Sequence, residues 1–322
     1  MEYNSKNLAN IKETLLKLSG VIIFLVIWEA APRLGWADKQ FVPSFSTALN
    51  ELYRLLMSGD LSMHIMVTFW RVLLGLIISI IIAVPMSFIL ESRYPFLVEI
   101  LNPLLRLLSQ VNPFSITPIF VLFFGAGELV KLAMIAWVCL WPILFNTITG
   151  IKVVDPLLIK SAKALNISSM DLFAKVMVPS VSPFIFTGLR TGVEMSFYMV
   201  IAAEMIGSSS GLGWLVHNSG MNYQIPRIYA SAICIVLLGV ILKRFLGYLG
   251  ERFFYWKVES SFDVQAKRHK KIDKSEIAFI LFMLVFIITF GTWQVIQADY
   301  ESKNMEVHDH LGTVRSAGGD SQ

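Results

Sequence analysis

The main ionisable side chains inside the long apolar runs are Arg71, Arg106, Arg190, Glu194 and Glu204. Charge buried in hydrocarbon is costly, so it pairs, faces water or marks a pathway. Arg106 and Arg190 sit near the ends of their runs, where a long side chain reaches the polar boundary. Glu194 is mid-run, and the cost of leaving it or Arg71 unpaired suggests an Arg71–Glu194 ion pair. Glu204 precedes a glycine-bearing loop, Gly207–Gly213, where a structural hydrogen bond and a pathway role are equally open. Pro118 sits in a run already interrupted by Pro103 and Pro113, and the carbonyls these prolines free need protein or water partners. Arg71, Glu194, Glu204 and Pro118 are therefore the pathway candidates. Zinc-hydrolase or phosphoryl chemistry has no footing: H-E-x-x-H and G-x-x-x-x-G-K-[ST] are both missing from the sequence. His64, His217 and His269 are scattered over different segments and His308 and His310 lie in the tail, so no metal site is expected. Cys139 and Cys234 lie in apolar runs and read as buried free thiols.

The elements that position these groups are membrane spans. Of 322 residues, 55% are hydrophobic and only 16% charged, and the mean hydropathy is +0.64. Runs of about 20 apolar residues fall at 14–33, 64–90, 98–124, 130–151, 183–206, 228–249 and 275–296, an all-α bundle of about seven spans. Lysine and arginine cluster before span one, between spans four and five and after span six, which puts the N-terminus inside the cell. The acidic tail then falls outside, and the net charge of +4 reads as topology rather than as nucleic-acid binding. The chain divides into an N-terminal span with an external amphipathic helix (1–63), a core (64–256), a basic linker (257–274), an additional span (275–296) and a tail (297–322). In the external segment, Ser46 or Thr47 is expected to cap a short helix with Leu49, Leu52 and Leu56 on one face.

Between spans four and five stands a stretch too polar to span, "IKSAKALNISSMDLFAKVMVPSVSPFIFTGLR", 159–190. Asp155 caps a helix starting at Pro156. Leu158, Ala162 and Leu165 form its apolar stripe. Asn166 readily adopts the left-handed region and ends it. Ser168 with Asp171 starts a second helix carrying Met170, Phe173 and Met177, and Pro179 is expected to stop that helix. A short cytoplasmic helix pair with apolar anchors either packs under its own bundle or docks in a groove of another protein.

This stretch resembles the EAA loop of ABC-type permeases, standing here as Lys160-Ser161-Ala162-Lys163-Ala164-Leu165-Asn166 and ending Val178-Pro179. Residues 69–90, 121–135 ("VLFFGAGELVKLAMI") and 186–216 ("…AAEMIGSSSGLGWLV") resemble the nitrate/sulfonate/taurine/bicarbonate branch of those permeases, in the same order. Lys160 stands where the pattern has glutamate, and Asn166 where it has glycine. The resemblance implies the type I importer permease fold, with a cytoplasmic coupling helix pair within 155–180. It implies a homodimer in the bacterial inner membrane, served by an extracytoplasmic solute-binding protein. It also implies separate ATP-binding cassette subunits that hold the ATP and magnesium; no cofactor is expected on this chain. It assigns Lys160, Ser161, Ala162, Ala164, Leu165, Asn166, Met170 and Phe173 to the cassette contact. Lys160 and the seventh span leave an alternative, a membrane scaffold that keeps the fold without transport.

Overall fold

The computed structural model describes residues 19–125, 127–253 and 282–297, and all regular structure among them is helical. The chain forms two compact units. One comprises Met1–Ser62 with Leu215–Val236, the other Met63–Trp214 with Leu237–Gln322.

In the smaller unit, α1 (19–33) exposes an apolar surface, Val21 to Phe24 and Val26 to Ile27. Helix α2 (Phe45–Met57) follows. Its cap is Ser44, whose side chain accepts from the Thr47 amide, and not Ser46 or Thr47 as the sequence suggested. Ser46 is taken by Glu29, which accepts from its amide and its hydroxyl at 2.9 Å each. Leu52 is buried with Ala48 and Leu55, while Leu49 and Leu56 face outward. The buried face is thus Ala48, Leu52 and Leu55 rather than the expected Leu49, Leu52 and Leu56, and the cap lies two to three residues earlier than expected. Trp28 donates to the Pro43 carbonyl (3.1 Å) and packs on Phe45 and Tyr229.

The larger unit is built on α3 (Asp60–Arg93, from Met63 onward), α4 (Pro95–Ser109), α5 (Pro113–Phe124) and α6 (Glu128–Lys152). Of the prolines in the expected third span, only Pro113 breaks it. A residue before proline is driven out of the helical region. Asn112 is extended accordingly (ψ 124°) and caps α5 by accepting from the Phe114 amide at 3.0 Å. The two arms meet at 94°. Pro103, Pro118 and Pro142 stay inside continuous helices.

After α7 (Pro156–Ala164) the chain runs in one helix, α8, from Ser169 to Gly207. Pro179 does not stop it. A π-helical turn, Leu172–Met177, with the Val178 amide bonding Phe173 O, makes a wider turn just before the ring. Ser180 Oγ then donates to Val176 O at 2.7 Å. The other local signals act as expected. Asp155 accepts from the Leu157 amide (2.8 Å), Asn166 is left-handed (φ 54°), and Ser168 accepts from the Asp171 amide (3.1 Å). Asn166→Val is therefore expected to cost about 1–2 kcal/mol, the left-handed penalty of a Cβ-bearing residue. Asn166→Gly should cost nothing. Thermal midpoints of the two variants in detergent check this; equal midpoints would show that the turn does not demand that conformation.

Helix α6 packs closely against α8. Gly188 and Gly192, a G-x-x-x-G spacing, let the backbones approach. A Cβ at Gly188 would stand 2.7 Å from Pro142 O. Cys139 Sγ lies 3.4 Å from Gly192 O. Ser79 and Ser87 of α3 donate across to Ala136 O (2.8 Å) and Leu144 O (3.2 Å) of α6. Around these contacts Ile135, Ile143, Leu144 and Val200 form an apolar core.

Helices α9 (Leu212–Met221), α10 (Ile225–Phe253) and α11 (Phe282–Gln297) complete the described chain. Gly291 of α11 sits against Trp70 of α3, in a small core with Val67 and Val295. Among the described residues four helices are long and apolar enough to cross a membrane, five with the bent α4–α5 pair. The expected first and seventh spans fall partly outside the described residues, where 19–33 and 282–297 are helical. The linker 257–274 and the tail beyond 297 lie outside them.

Candidate functional site

Two places in the larger unit carry chemistry, at opposite ends of α6 and α8. At the first, the last turn of α8 meets the first turn of α6 and the flank of α3. Arg71 has no exposed side-chain surface. Its Nε and Nη2 donate to the two oxygens of Glu128 at 2.8 Å each, a bidentate pair. Its Nη1 donates to Glu204 (2.8 Å) and to the Ser210 carbonyl (2.7 Å). Glu204, also fully buried, accepts from Thr68 Oγ1 (2.9 Å) and the Gly213 amide (2.8 Å). Thr68 Oγ1 accepts in turn from the Leu212 amide at 3.0 Å, and His64 Nδ1 from the Gly211 amide at 3.1 Å. Lys131 donates to Glu128 (2.7 Å) and to Ser208 (3.3 Å). Two carboxylates and two cations thus cancel, and the loop 208–213 is pinned to α3. Gly211 (φ 116°) and Gly213 are needed here, because a Cβ at either would run into Glu204 or the Ile201 carbonyl.

The expected Arg71–Glu194 pair is not made. Glu194 lies ten residues before Glu204, about 15 Å lower along the helix, and faces Arg190 (3.8 Å) and Lys243 (4.0 Å) instead. The hydrogen bond foreseen between Glu204 and the glycine loop is present. Pro118 is exposed on α5. Arg106 is held by Asn102 (3.0 Å) and lies over the Phe145 ring. Glu128, Lys131, Thr68 and Ser210 were missed. Glu128 and Lys131 were legible as an i,i+3 acid–base pair opening a helix inside "GAGELVK"; Thr68 and Ser210 carry no such signal.

At the other end, Lys152 reaches Glu91 (3.6 Å), joining the ends of α6 and α3. The turn α7–Asn166–α8 projects from there. Its underside is anchored: Ala162 is buried, and Ile159, Met177 and Val178 pack on Phe88, Ile151, Val154 and Val181. Phe173 stands edge-on to Phe88 at 5.0 Å. Its outer surface is free of these contacts. Lys160, Ser161, Ala164 and Asn166 are exposed, and Leu165 and Met170 are each 76% exposed. Sequence reasoning placed Leu158, Ala162 and Leu165 on one stripe; only Ala162 turns inward. The Asp171 carboxylate, joined by Ser168 (2.8 Å) and Lys175 (2.6 Å), stiffens the second helix start.

Residues 75–255 match the binding-protein-dependent transport system inner membrane component family. The chain belongs to that family. This permease is similar to a putative ABC transporter permease of Methanocaldococcus jannaschii, 32% identical over 253 residues, 77% of this chain and 94% of that one. It is also similar to a putative aliphatic sulfonates transport permease of Bacillus subtilis (26% identical, 73% of this chain, 85% of that one). The taurine transport system permease of Escherichia coli is 26% identical over 77% of this chain and 92% of its own length. The permease is thus the inner-membrane, multi-pass component of a binding-protein-dependent ABC transporter. It is not itself catalytic, and membership implies ATPase and binding-protein partners. Helices α1, α2 and α11 lie outside the matched residues.

Proposed function

We propose that this permease works as a homodimer, forms the path for a small solute of the sulfonate, taurine or nitrate kind, and couples that path to separate cassette ATPases through residues 155–180. The supporting observation is the turn between α7 and α8. It offers Leu165 and Met170 to solvent while its base is locked into the body, an arrangement that costs stability unless another protein covers it. The contact set is Lys160, Ser161, Ala164, Leu165, Asn166 and Met170, with Ala162 and Phe173 as its inward supports. Helix α8 begins at this contact and carries Glu204 in its last turn, so a displacement of the turn reaches the far loop through one unbroken helix. The solute class is supported by the sulfonate and taurine permeases it resembles. The seven-span topology, with the N-terminus inside and the C-terminus outside, belongs to the same reading.

The permease is expected to co-purify from its native membrane with a stoichiometric ATPase. Leu165→Asp and Met170→Asp, which place a charge in an apolar contact, are each expected to weaken that association at least ~10-fold. The permease itself should stay folded, since neither side chain packs on it. An intact dimer that brings no ATPase would favour the scaffold reading.

A further inference from the structure

Helix α8 is polar on the side where a lipid-facing helix is apolar. Its buried side, Gly188, Gly192, Val193, Ser196 and Val200, belongs to the interior. On the opposite side Thr187, Arg190, Thr191, Glu194 and Tyr198 fall within an arc of about 100° at 3.6 residues per turn. The Arg190 side chain is 44% exposed, that of Glu194 35%, and Tyr198 is 78% exposed. Lys243 of α10, 63% exposed, joins this stripe with its Nζ 4.0 Å from Glu194 Oε1, while Arg190 Nε is 3.8 Å from the same oxygen. Two cations therefore share one carboxylate, leaving a surplus positive charge. Glu194 lies about 15 Å from Glu204 along the helix axis, inside a helix long and apolar enough to cross a hydrocarbon layer about 30 Å thick. Thr187 and Thr191 donate to their own helix, to Pro183 O (2.8 Å) and Thr187 O (3.1 Å), and keep oxygen lone pairs outward. Charged and hydroxyl groups on such a helix persist where they meet water or protein rather than acyl chains.

We infer that this stripe lines the aqueous path, and that Arg190 with Lys243 forms an oxyanion subsite gated by Glu194. A sulfonate or nitrate oxygen set suits the guanidinium fork. Glu194 competes for the same cations, so an entering anion displaces a carboxylate and is later displaced by it, which keeps the site weak enough to release its cargo. The cargo class rests on the importer reading above; the water access does not.

Two measurements on the full chain with its partner subunits test this. In a background where buried Cys139 and Cys234 are replaced by alanine, Thr191→Cys and Tyr198→Cys should be modified by a charged, membrane-impermeant methanethiosulfonate. Taurine or nitrate, supplied with binding protein, should slow the Thr191→Cys reaction. Unmodified cysteines, whether lipid-facing or cross-linked between copies, would overturn the path. In taurine and nitrate uptake, Arg190→Gln should raise KM about tenfold, one lost charge-assisted bond. Glu194→Gln should lower both KM and kcat. Parallel loss of uptake and of membrane-inserted protein in both variants would make the pair structural and overturn the subsite. If the wild type carries neither solute, the importer reading fails at its cargo, while the labelling still decides whether water lines the stripe.

Discussion

Arg71→Ala is expected to remove most of the folded permease from the membrane. The truncation leaves Glu204 buried without its cation and Glu128 with Lys131 alone. Breaking a buried pair in this way costs about 3–5 kcal/mol, a large part of a total stability that is typically about 5–15 kcal/mol. The loop 208–213 also loses its donor to the Ser210 carbonyl. Arg71→Lys should fall between, because an ammonium keeps the charge but cannot span both carboxylates in the plane of a guanidinium. The paired change Arg71→Met with Glu204→Leu should recover part of the loss, since well-packed apolar groups replace buried ion pairs at little cost. Monodisperse yield and thermal midpoint in detergent report all three variants. Wild-type values for Arg71→Ala would mean that this clasp, Arg71 with Glu128 and Glu204, contributes nothing to stability.

The second large effect is expected at Gly188. Its Cβ would meet Pro142 O at 2.7 Å and Ile143 Cα at 2.8 Å, both backbone atoms of α6. Side chains rotate away from an intruding methyl, but a helix backbone does not. Even Gly188→Ala must part α6 from α8, and overpacking of this kind costs about 1–3 kcal/mol. Gly188→Leu should abolish assembly. Gly192 supplies the internal control. Its Cβ would lie 3.4 Å from Cys139 O, an ordinary contact, so Gly192→Ala should lose well under half as much. Both glycines share the G-x-x-x-G spacing, and the sequence alone ranks them equally. Matching midpoints for Gly188→Ala and Gly192→Ala would refute the close crossing.

What the sequence revealed was mostly local. Asp155, Asn166 and Ser168 were readable because a cap needs only residues two or three positions away. Pro113 was readable as a break because it constrains its neighbour Asn112 directly. Pro179 misled for the complementary reason: its effect depends on whether the preceding turn widens, and the π turn at 172–177 does so. The cap of α2 was displaced because Glu29, seventeen residues upstream, claims Ser46. The clasp was the hardest part. Arg71 had two acidic candidates, and only depth along α8 decides between Glu194 and Glu204. Glu128 was hidden at a helix start, where an acid has an ordinary capping explanation. The exposed stripe on α8 was read as separate charges, since nothing in the sequence shows that Lys243 lies beside Glu194.

The clasp also imposes an order on how the chain is made. Arg71 is separated from Glu128 by 57 residues and from Glu204 by 133. At about 5–20 residues per second, Arg71 waits about 3–11 s for its first carboxylate and about 7–27 s for its second. During that interval α3 holds an uncompensated guanidinium. The Glu128–Lys131 turn arrives first and converts the isolated charge into a provisional salt bridge, and Glu204 closes it only when α8 has crossed. The emerging chain therefore checks itself: the final loop locks onto α3 only if α4, α5 and α6 have already been threaded in sequence.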